Sequence, residues 1–515
     1  MIRIGIDVGG TNTDAVLIGG PQVEDAVKTP TTPDVTTGVE TALRNLLHNT
    51  SQHNKVEAVM IGTTHFVNAV VQRRNLNKAA ALRICLPSGT SLRPTVDWPI
   101  DLATAVDGGA YLVAGGHEYD GRPLAPLDEP AVAKAARSMR QAGVTAVAIT
   151  AVFSPLTDEL ETRAAEIIQQ EHPEVRITLS SRLGRIGLLE RENVALLNAA
   201  LTDLAATTIT AFEKAIADVG IKAPLYVTQN DGTVASVEMA RHAPVFGFAS
   251  GPTNSMRGAA FLSGIESAIV LDIGGTTSDV GCLISGFPRE ANNVVDVGGV
   301  RTNFRMPDVQ SIALGGGTIV NRETLAIGPR SVGHLLTEEA LTFGGDMLTL
   351  TDIAVAKGLA EIGDPDRVKD LPLGTVDSVM TAVADHLIET VDRMKTHAEP
   401  EPLLVVGGGA MLAPMDMPGI SEVRRIPHHG VANAVGAATA QISGEVDRVF
   451  HNMQRDELLA AADAIARDKA IEAGADPATL KTIEREDLPL AYLPGNAVRA
   501  RVRVVGDVRR PSPDV

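Results

Sequence analysis

The feature that most constrains this chain is a stretch that occurs twice. Ile4-Gly5-Ile6-Asp7-Val8-Gly9-Gly10-Thr11-Asn12-Thr13-Asp14, near the start, returns past the middle as Ile269-Val270-Leu271-Asp272-Ile273-Gly274-Gly275-Thr276-Thr277-Ser278-Asp279. In each copy an apolar strand ends on an aspartate, turns through Gly-Gly-Thr with a second aspartate just beyond, and leaves along another apolar run. The spacing predicts two strand-turn-strand hairpins. Glycines allow a turn positive φ and close approach by a ligand. Successive exposed N–H groups with Thr or Ser hydroxyls form a nest for phosphate oxygens. One copy alone reads as an ordinary tight turn, whereas two at equal internal spacing report repeated architecture. Asp7 and Asp272 are then expected to face a phosphate-bound Mg²⁺ through water, because Mg²⁺ keeps much of its hydration shell. Two such loops opposite each other clamp a nucleoside triphosphate.

At 515 residues the chain is too long for one ordinary core, so at least two domains are expected. Only 3% of residues are aromatic, which forces a core of Ala, Val, Leu and Ile and leaves little for stacking single-stranded bases. A formal net charge of −18 argues against nucleic acid or an acidic membrane as partner. With no signal-peptide pattern, a cytoplasmic location is expected. Two cysteines, Cys85 and Cys282, make neither a disulfide framework nor a four-thiolate metal site.

In chain order, residues 1–80 read as the first half of a nucleotide-binding domain, with a helix over Thr36–Leu47 and a strand over Val56–Ile61. Residues 81–180 read as an inserted α/β subdomain, its short strands punctuated by Gly108-Gly109, Gly115-Gly116 and an Asp120-Gly121 hairpin turn. Residues 181–265 complete the first domain, with an amphipathic helix over Glu190–Ala217 and a small-residue helix from Ser250. The second domain spans 266–445, and 446–515 form a short helix-strand extension.

The paired loops resemble the phosphate-1 and phosphate-2 elements of the fold shared by actin, sugar kinases and heat-shock chaperone ATPases. Leu403-Leu404-Val405-Val406-Gly407-Gly408-Gly409-Ala410 resembles that superfamily's adenosine motif. Within it, Gly62-Thr63-Thr64 with Asn68, Glu190-Arg191-Glu192-Asn193 leading to Asn198, Gln229-Asn230-Asp231-Gly232, Ser250-Gly251-Pro252 and Gly315-Gly316-Gly317-Thr318 resemble the hydantoinase A/5-oxoprolinase family. One departure stands out. The family places a His immediately before the first of these glycines, where this chain has Ile61 and, further on, His65.

The resemblance implies an α/β fold of duplicated actin-like ATPase (ribonuclease H-like) domains around a nucleotide cleft, with the inserted subdomain and the short C-terminal extension. It implies ATP and Mg²⁺ as cofactors and a cyclic amide as substrate: a hydantoin, 5-oxoproline or another lactam, activated by phosphorylation of its carbonyl oxygen. Asp7, Asp14, Asp272 and Asp279 are the expected catalytic carboxylates, with Asp7 and Asp272 toward the metal. Gly9, Gly10, Thr11, Asn12, Thr13, Gly274, Gly275, Thr276, Thr277, Gly315, Gly316 and Gly317 are expected at the phosphates, and Gly407, Gly408 and Gly409 at the nucleoside. Thr63, Thr64, Asn68, Glu190, Arg191, Asn198, Asn230 and Asp231 are expected at the substrate, although threonines at a helix start serve equally as caps and a charged first turn is ordinary helix chemistry. A separate partner subunit and an oligomeric assembly are further expectations. Two other readings use the same fold: a small-molecule kinase, with Asp231 as its base, and an ATP-driven switch or reactivating protein.

Overall fold

The computed structural model describes residues 2–32, 35–48, 55–292, 294–490 and 495–509. The two repeated stretches form the expected hairpins. Ile2–Val8 pairs antiparallel with Asn12–Gly19, placing Asp7 opposite Asp14. Ala268–Ile273 pairs with Ser278–Ile284, placing Asp272 opposite Asp279. Each first strand also has a parallel neighbour, so Asp7 lies beside Gly62 of Val56–Thr63 and Asp272 beside Val406 of Glu401–Val406. The hairpins therefore hold equivalent places in two different sheets, of nine and six strands. Burial of Ile4, Ile6, Ile269 and Leu271 sets their register, because a one-residue slip would turn these side chains to the opposite face.

The nine-stranded sheet reaches beyond the first half of the chain. Gln441–Phe450 runs across the boundary expected at about residue 445 and pairs in parallel with Thr233–Ser236. Val498–Gly506 and Lys481–Pro489 then add antiparallel at the edge. The C-terminal residues are thus part of the first domain's sheet. The Arg455–Glu472 helix, whose length suits a free arm, instead buries Leu458, Leu459, Ala462, Ala466 and Ala470 against Val446, Val502 and Val504. A nearly aromatic-free core makes such alanine-lined contacts the rule.

The insertion contains a four-stranded sheet in which Ala79–Leu86, Asp107–Ala114, Ala146–Ala151 and Arg176–Leu179 are all parallel, backed by the helices Glu129–Gln141 and Glu159–Glu171. Gly108 and Gly109 lie within a strand rather than punctuating one. The Asp120-Gly121 turn does form, under an antiparallel bridge between His117 and Pro123. The long helix Leu188–Asp218 lies beneath. It is long and apolar enough by composition to cross a membrane, but 67% of its most apolar stretch is buried in this protein, where it serves as a core helix.

Two short helices, Ser250–Ser263 and Ala432–Thr439, cross between the domains. They touch backbone to backbone. A Cβ on Gly258 would run into the Ala432 carbonyl, and one on Gly436 into the Asn254 carbonyl. Small residues at this crossing set the distance between the two hairpins.

Candidate functional site

The two turns close in the same way. Gly9 donates its N–H to the Asn12 carbonyl at 3.0 Å, and Gly274 to the Thr277 carbonyl at 2.9 Å. The Thr31 hydroxyl braces the first turn by donating to the Gly9 carbonyl at 2.8 Å. Gly10, Thr276 and Thr277 remain exposed. The loops face each other closely enough that Thr11 Oγ1 lies 3.9 Å from where a Cβ on Gly275 would stand.

Behind the turns the aspartates are linked across the domain boundary. Asn433, on the second crossing helix, donates to Asp7 Oδ2 at 3.3 Å. The Ser255 hydroxyl, on the first, bonds both Asp272 Oδ2 and Asn433 Oδ1. Lys28 donates to Asp14 Oδ2 at 2.7 Å, and Ser311 donates to Asp279 Oδ1. Burial, with Asp14 and Asp272 nearby, pushes the Asp7 carboxyl up to about 7 against the Asn433 hydrogen bond. Burial likewise raises Asp272 and Asp14, the latter despite Lys28, and carries Asp279 to about 6. The site is short of positive charge.

A magnesium ion fits this shortage. Asp7 Oδ1 and Asp14 Oδ1 are buried oxygens with no hydrogen-bond partner, and carboxylate oxygens are the donors a hard cation takes. Among the described residues no group of three or more His, Cys, Asp or Glu side chains is gathered to hold a metal. A cation here would therefore draw most of its ligands from phosphate and water, as Mg²⁺ does.

The other glycine clusters divide. Gly408 is open and exposed, while Gly407 at φ +87° leaves room for Asp272 and donates to the His429 carbonyl at 3.0 Å. Gly315–Gly317, expected at the phosphates, have their N–H groups already engaged: Gly315 with Thr318 Oγ1, Gly316 with the Gly274 carbonyl and Gly317 with the Gly275 carbonyl. They form a shelf under the second loop, and a Cβ on Gly315 would lie 2.7 Å from Thr276 N.

The substrate candidates separate as well. Thr63 and Thr64 follow Gly62, where a Cβ would stand 3.0 Å from Asp7 Oδ1, and Thr63 pairs with Val8. Thr63 Oγ1 bonds His65 Nδ1 at 2.7 Å, and Asn68 donates to Thr64 Oγ1 at 3.2 Å. Burial lowers the His65 pKa and favours the neutral ring. Arg191 and Asn198, by contrast, are fully buried. Arg191 donates to Ser180 Oγ and to the carbonyls of Ala151, Arg185 and Ile186, and Asn198 bonds Thr178 and the His242 carbonyl. Both fasten the insertion to the long helix instead of facing a ligand. Glu190 pairs with Arg301 at 3.0 Å. The Asn230 side chain joins three backbone groups, those of Val245, Arg305 and Ala249. Asp231 is buried, which by itself raises a carboxyl, but Arg503 at 3.1 Å and Arg305 at 3.7 Å hold it below its usual range. A carboxylate clamped by two guanidiniums is a poor base, which disfavours the kinase role for Asp231. Lys28, Ser255 and Asn433 were missed by sequence reasoning. None stands in a motif, and only the folding of three distant segments brings them to the aspartates.

Residues 3–172 match the hydantoinase/oxoprolinase N-terminal region, and residues 191–361 match the hydantoinase/oxoprolinase domain that follows it. The chain belongs to the hydantoinase/oxoprolinase family. It is 25% identical over 425 residues to the caprolactamase subunit alpha of Pseudomonas jessenii, an alignment covering 76% of this chain and 60% of that subunit. It is 26% identical over 254 residues to the acetophenone carboxylase gamma subunit of Aromatoleum aromaticum, covering 47% of this chain and 34% of that one. The chain thus spans less than two thirds of either relative's length. Among solved structures, the ATP-dependent caprolactamase from Pseudomonas jessenii superposes with a TM-score of 0.74 at 19% identity, covering 100% of this chain and 89% of that one. The fold shared with it, with hairpins repeated in two sheets and a pair of crossing helices between them, is the duplicated actin-like ATPase fold.

Proposed function

We propose that this chain is the ATP-handling component of an enzyme that opens cyclic amides, with lactams, hydantoins and 5-oxoproline as the substrate class. The observation that carries the reading is the pair of equivalent Gly-Gly-Thr turns facing each other over Asp7 and Asp272, with a buried, unpartnered oxygen on Asp7. Membership of the hydantoinase/oxoprolinase family supports the choice of acceptor.

The chemistry follows from the weakness of an amide as an electrophile. The lactam carbonyl oxygen attacks the γ-phosphorus, ADP departs, and the nitrogen loses its proton to leave an imidate phosphate. Water adds to the activated carbon and the ring C–N bond breaks, with the nitrogen leaving as a protonated amine. A second water then releases phosphate from the acyl phosphate, leaving an amino acid. In this scheme Gly9–Thr13 and Gly274–Thr277 hold the phosphates, Gly407–Gly409 flank the nucleoside, and Thr63, Thr64 and Asn68 lie on the acceptor side. Asp7 and Asp272 would hold Mg²⁺, which supplies charge neutralisation on the phosphates. Positioning and charge complementarity carry most of such a transfer.

A second reading has its own support. The acetophenone carboxylase relative makes a ketone the alternative acceptor, its enol oxygen taking the phosphoryl group. Both relatives are named as subunits, so we infer that a second polypeptide joins this chain in the native enzyme. The test is phosphate release from Mg-ATP by the purified chain, with and without a panel of lactams, hydantoins and aryl ketones. Stimulation by a cyclic amide with matching ring opening supports the first reading, and stimulation by ketones alone overturns it in favour of the second.

A further inference from the structure

A cavity of about 270 Å³ lies where four distant parts of the chain meet. The insertion contributes Leu156, the first domain the 181–186 loop and the 229–231 strand end with Phe246, the second domain Phe304 and Arg305, and the C-terminal sheet strands 443–449 and Arg499. Its 229–231 lining directly follows the strand Leu225–Thr228. Ile2–Val8, Val56–Thr63 and Leu225–Thr228 run parallel, with Asp7 beside Gly62 and Ile61 beside Val227. Their carboxyl ends therefore point the same way, the side of an α/β sheet on which ligands bind. Strands about 4.8 Å apart place the cavity on the order of 10–15 Å from Asp7.

Its charges are unevenly matched. Each acidic wall residue is already paired: Asp231 with Arg503 and Arg305, Glu445 with Arg305, and Asp447 with Arg499. Two of the five wall arginines are not. Arg182 and Arg448 have no carboxylate partner among the described residues, and Arg448 rests instead on the Phe450 ring. Arg185 reaches Glu290 at 3.5 Å, whereas Arg305 is spent on Asp231, Glu290, Glu445 and Glu484. Opposite these cations lie Phe246 and Phe304, with ring centroids 6.3 Å apart, beside Leu156 and Leu183.

We propose that this cavity binds a small organic carboxylate with an apolar body, at a site separate from the phosphate loops. Uncompensated guanidiniums recognise the carboxylate by paired N–H donors. The aromatic and aliphatic wall takes the hydrocarbon part, which inorganic phosphate would leave unfilled. The volume lies just below the range of about 300–1,000 Å³ for drug-sized ligands and suits a molecule of metabolite size. Burial, with Arg501 and Arg305 nearby, already lowers the Arg185 pKa, and a bound anion relieves that repulsion. The C-terminal strands then have a binding role besides completing the sheet. The proposal holds whichever acceptor the phosphate loops serve.

The test is calorimetric titration of the full chain, without nucleotide, using hexanoate and benzoate against their neutral isosteres hexanamide and benzamide. The expected result is at least tenfold tighter binding of the carboxylates. In an Arg185→Gln/Arg448→Gln double variant that preference disappears, while its melting temperature and its ATP affinity match the wild type. Equal binding of acid and amide, absence of binding by either acid, or a preference that survives in the folded double variant overturns the proposal.

Discussion

Asp7 is held in surroundings that disfavour its own charge. Its carboxyl rises from 3.8 to about 7 through burial and two neighbouring aspartates, so the folded chain holds that proton more tightly than the unfolded chain. Stability from this group is therefore greatest below about pH 4 and declines as pH rises toward 7, by on the order of 4 kcal/mol in all. Asp279, raised to about 6, slopes the same way. Without metal or nucleotide, the protein should melt at a lower temperature at pH 8 than at pH 5.5. Asp7→Asn should flatten that difference and raise the melting point at pH 8, while cutting ATP-driven phosphate release by about 100-fold or more. Asp231 makes the opposite case. Asp231→Asn leaves Arg503 without its nearest counter-charge and removes one of the four carboxylates around Arg305, and should cost about 3–5 kcal/mol in denaturant unfolding. Phosphate release per folded molecule should stay near wild type, whereas a loss of two orders of magnitude would restore the base role.

At the scale of elements, glycines in similar-looking clusters have different tasks. Gly408 faces open space, and Gly408→Ala should leave unfolding midpoints unchanged. Gly315 packs under the second loop, where an added Cβ meets Gly275 and Thr276 at 2.7 Å. Gly315→Ala should therefore weaken ATP binding by about tenfold in calorimetric titration, by displacing the loop it supports. The crossing helices are less tolerant still. Gly436→Ala drives a methyl into the Asn254 carbonyl and should cost about 1–3 kcal/mol in denaturant unfolding, as overpacking commonly does. Because Ser255 and Asn433 ride on these helices, the same change should also disturb both aspartates.

For the whole molecule, the last 75 residues close the first domain. Removing everything after Ala440 would strip three strands from the nine-stranded sheet and expose the edge of Thr233–Ser236, the condition under which sheets recruit other chains. Such a truncation should give insoluble protein on expression, and a soluble, cooperatively melting product would contradict this account.

Much of this was legible in the residues alone because it is local. A strand ending on Asp before Gly-Gly-Thr forms its hairpin whatever surrounds it, and the same stretch written twice announces two halves. Spacing of apolar residues likewise placed the Leu188–Asp218 helix to within about two residues at its N-terminal end. What a polar side chain faces is a different kind of fact. Arg191 and Asn198 resemble substrate ligands in sequence, yet the insertion folds over them and makes them internal fasteners. The N–H groups of Gly315–Gly317 suit phosphate by type but are taken by Thr318 and the neighbouring loop. Sequence by itself determined the repeated Gly-Gly-Thr turns and the aspartates behind them, because backbone geometry and residue type suffice for a turn. Tertiary structure alone decided which polar groups meet, Lys28, Ser255 and Asn433 at the aspartates and an arginine-lined cavity at the C-terminal strands, because burial and pairing arise only where distant segments come into contact.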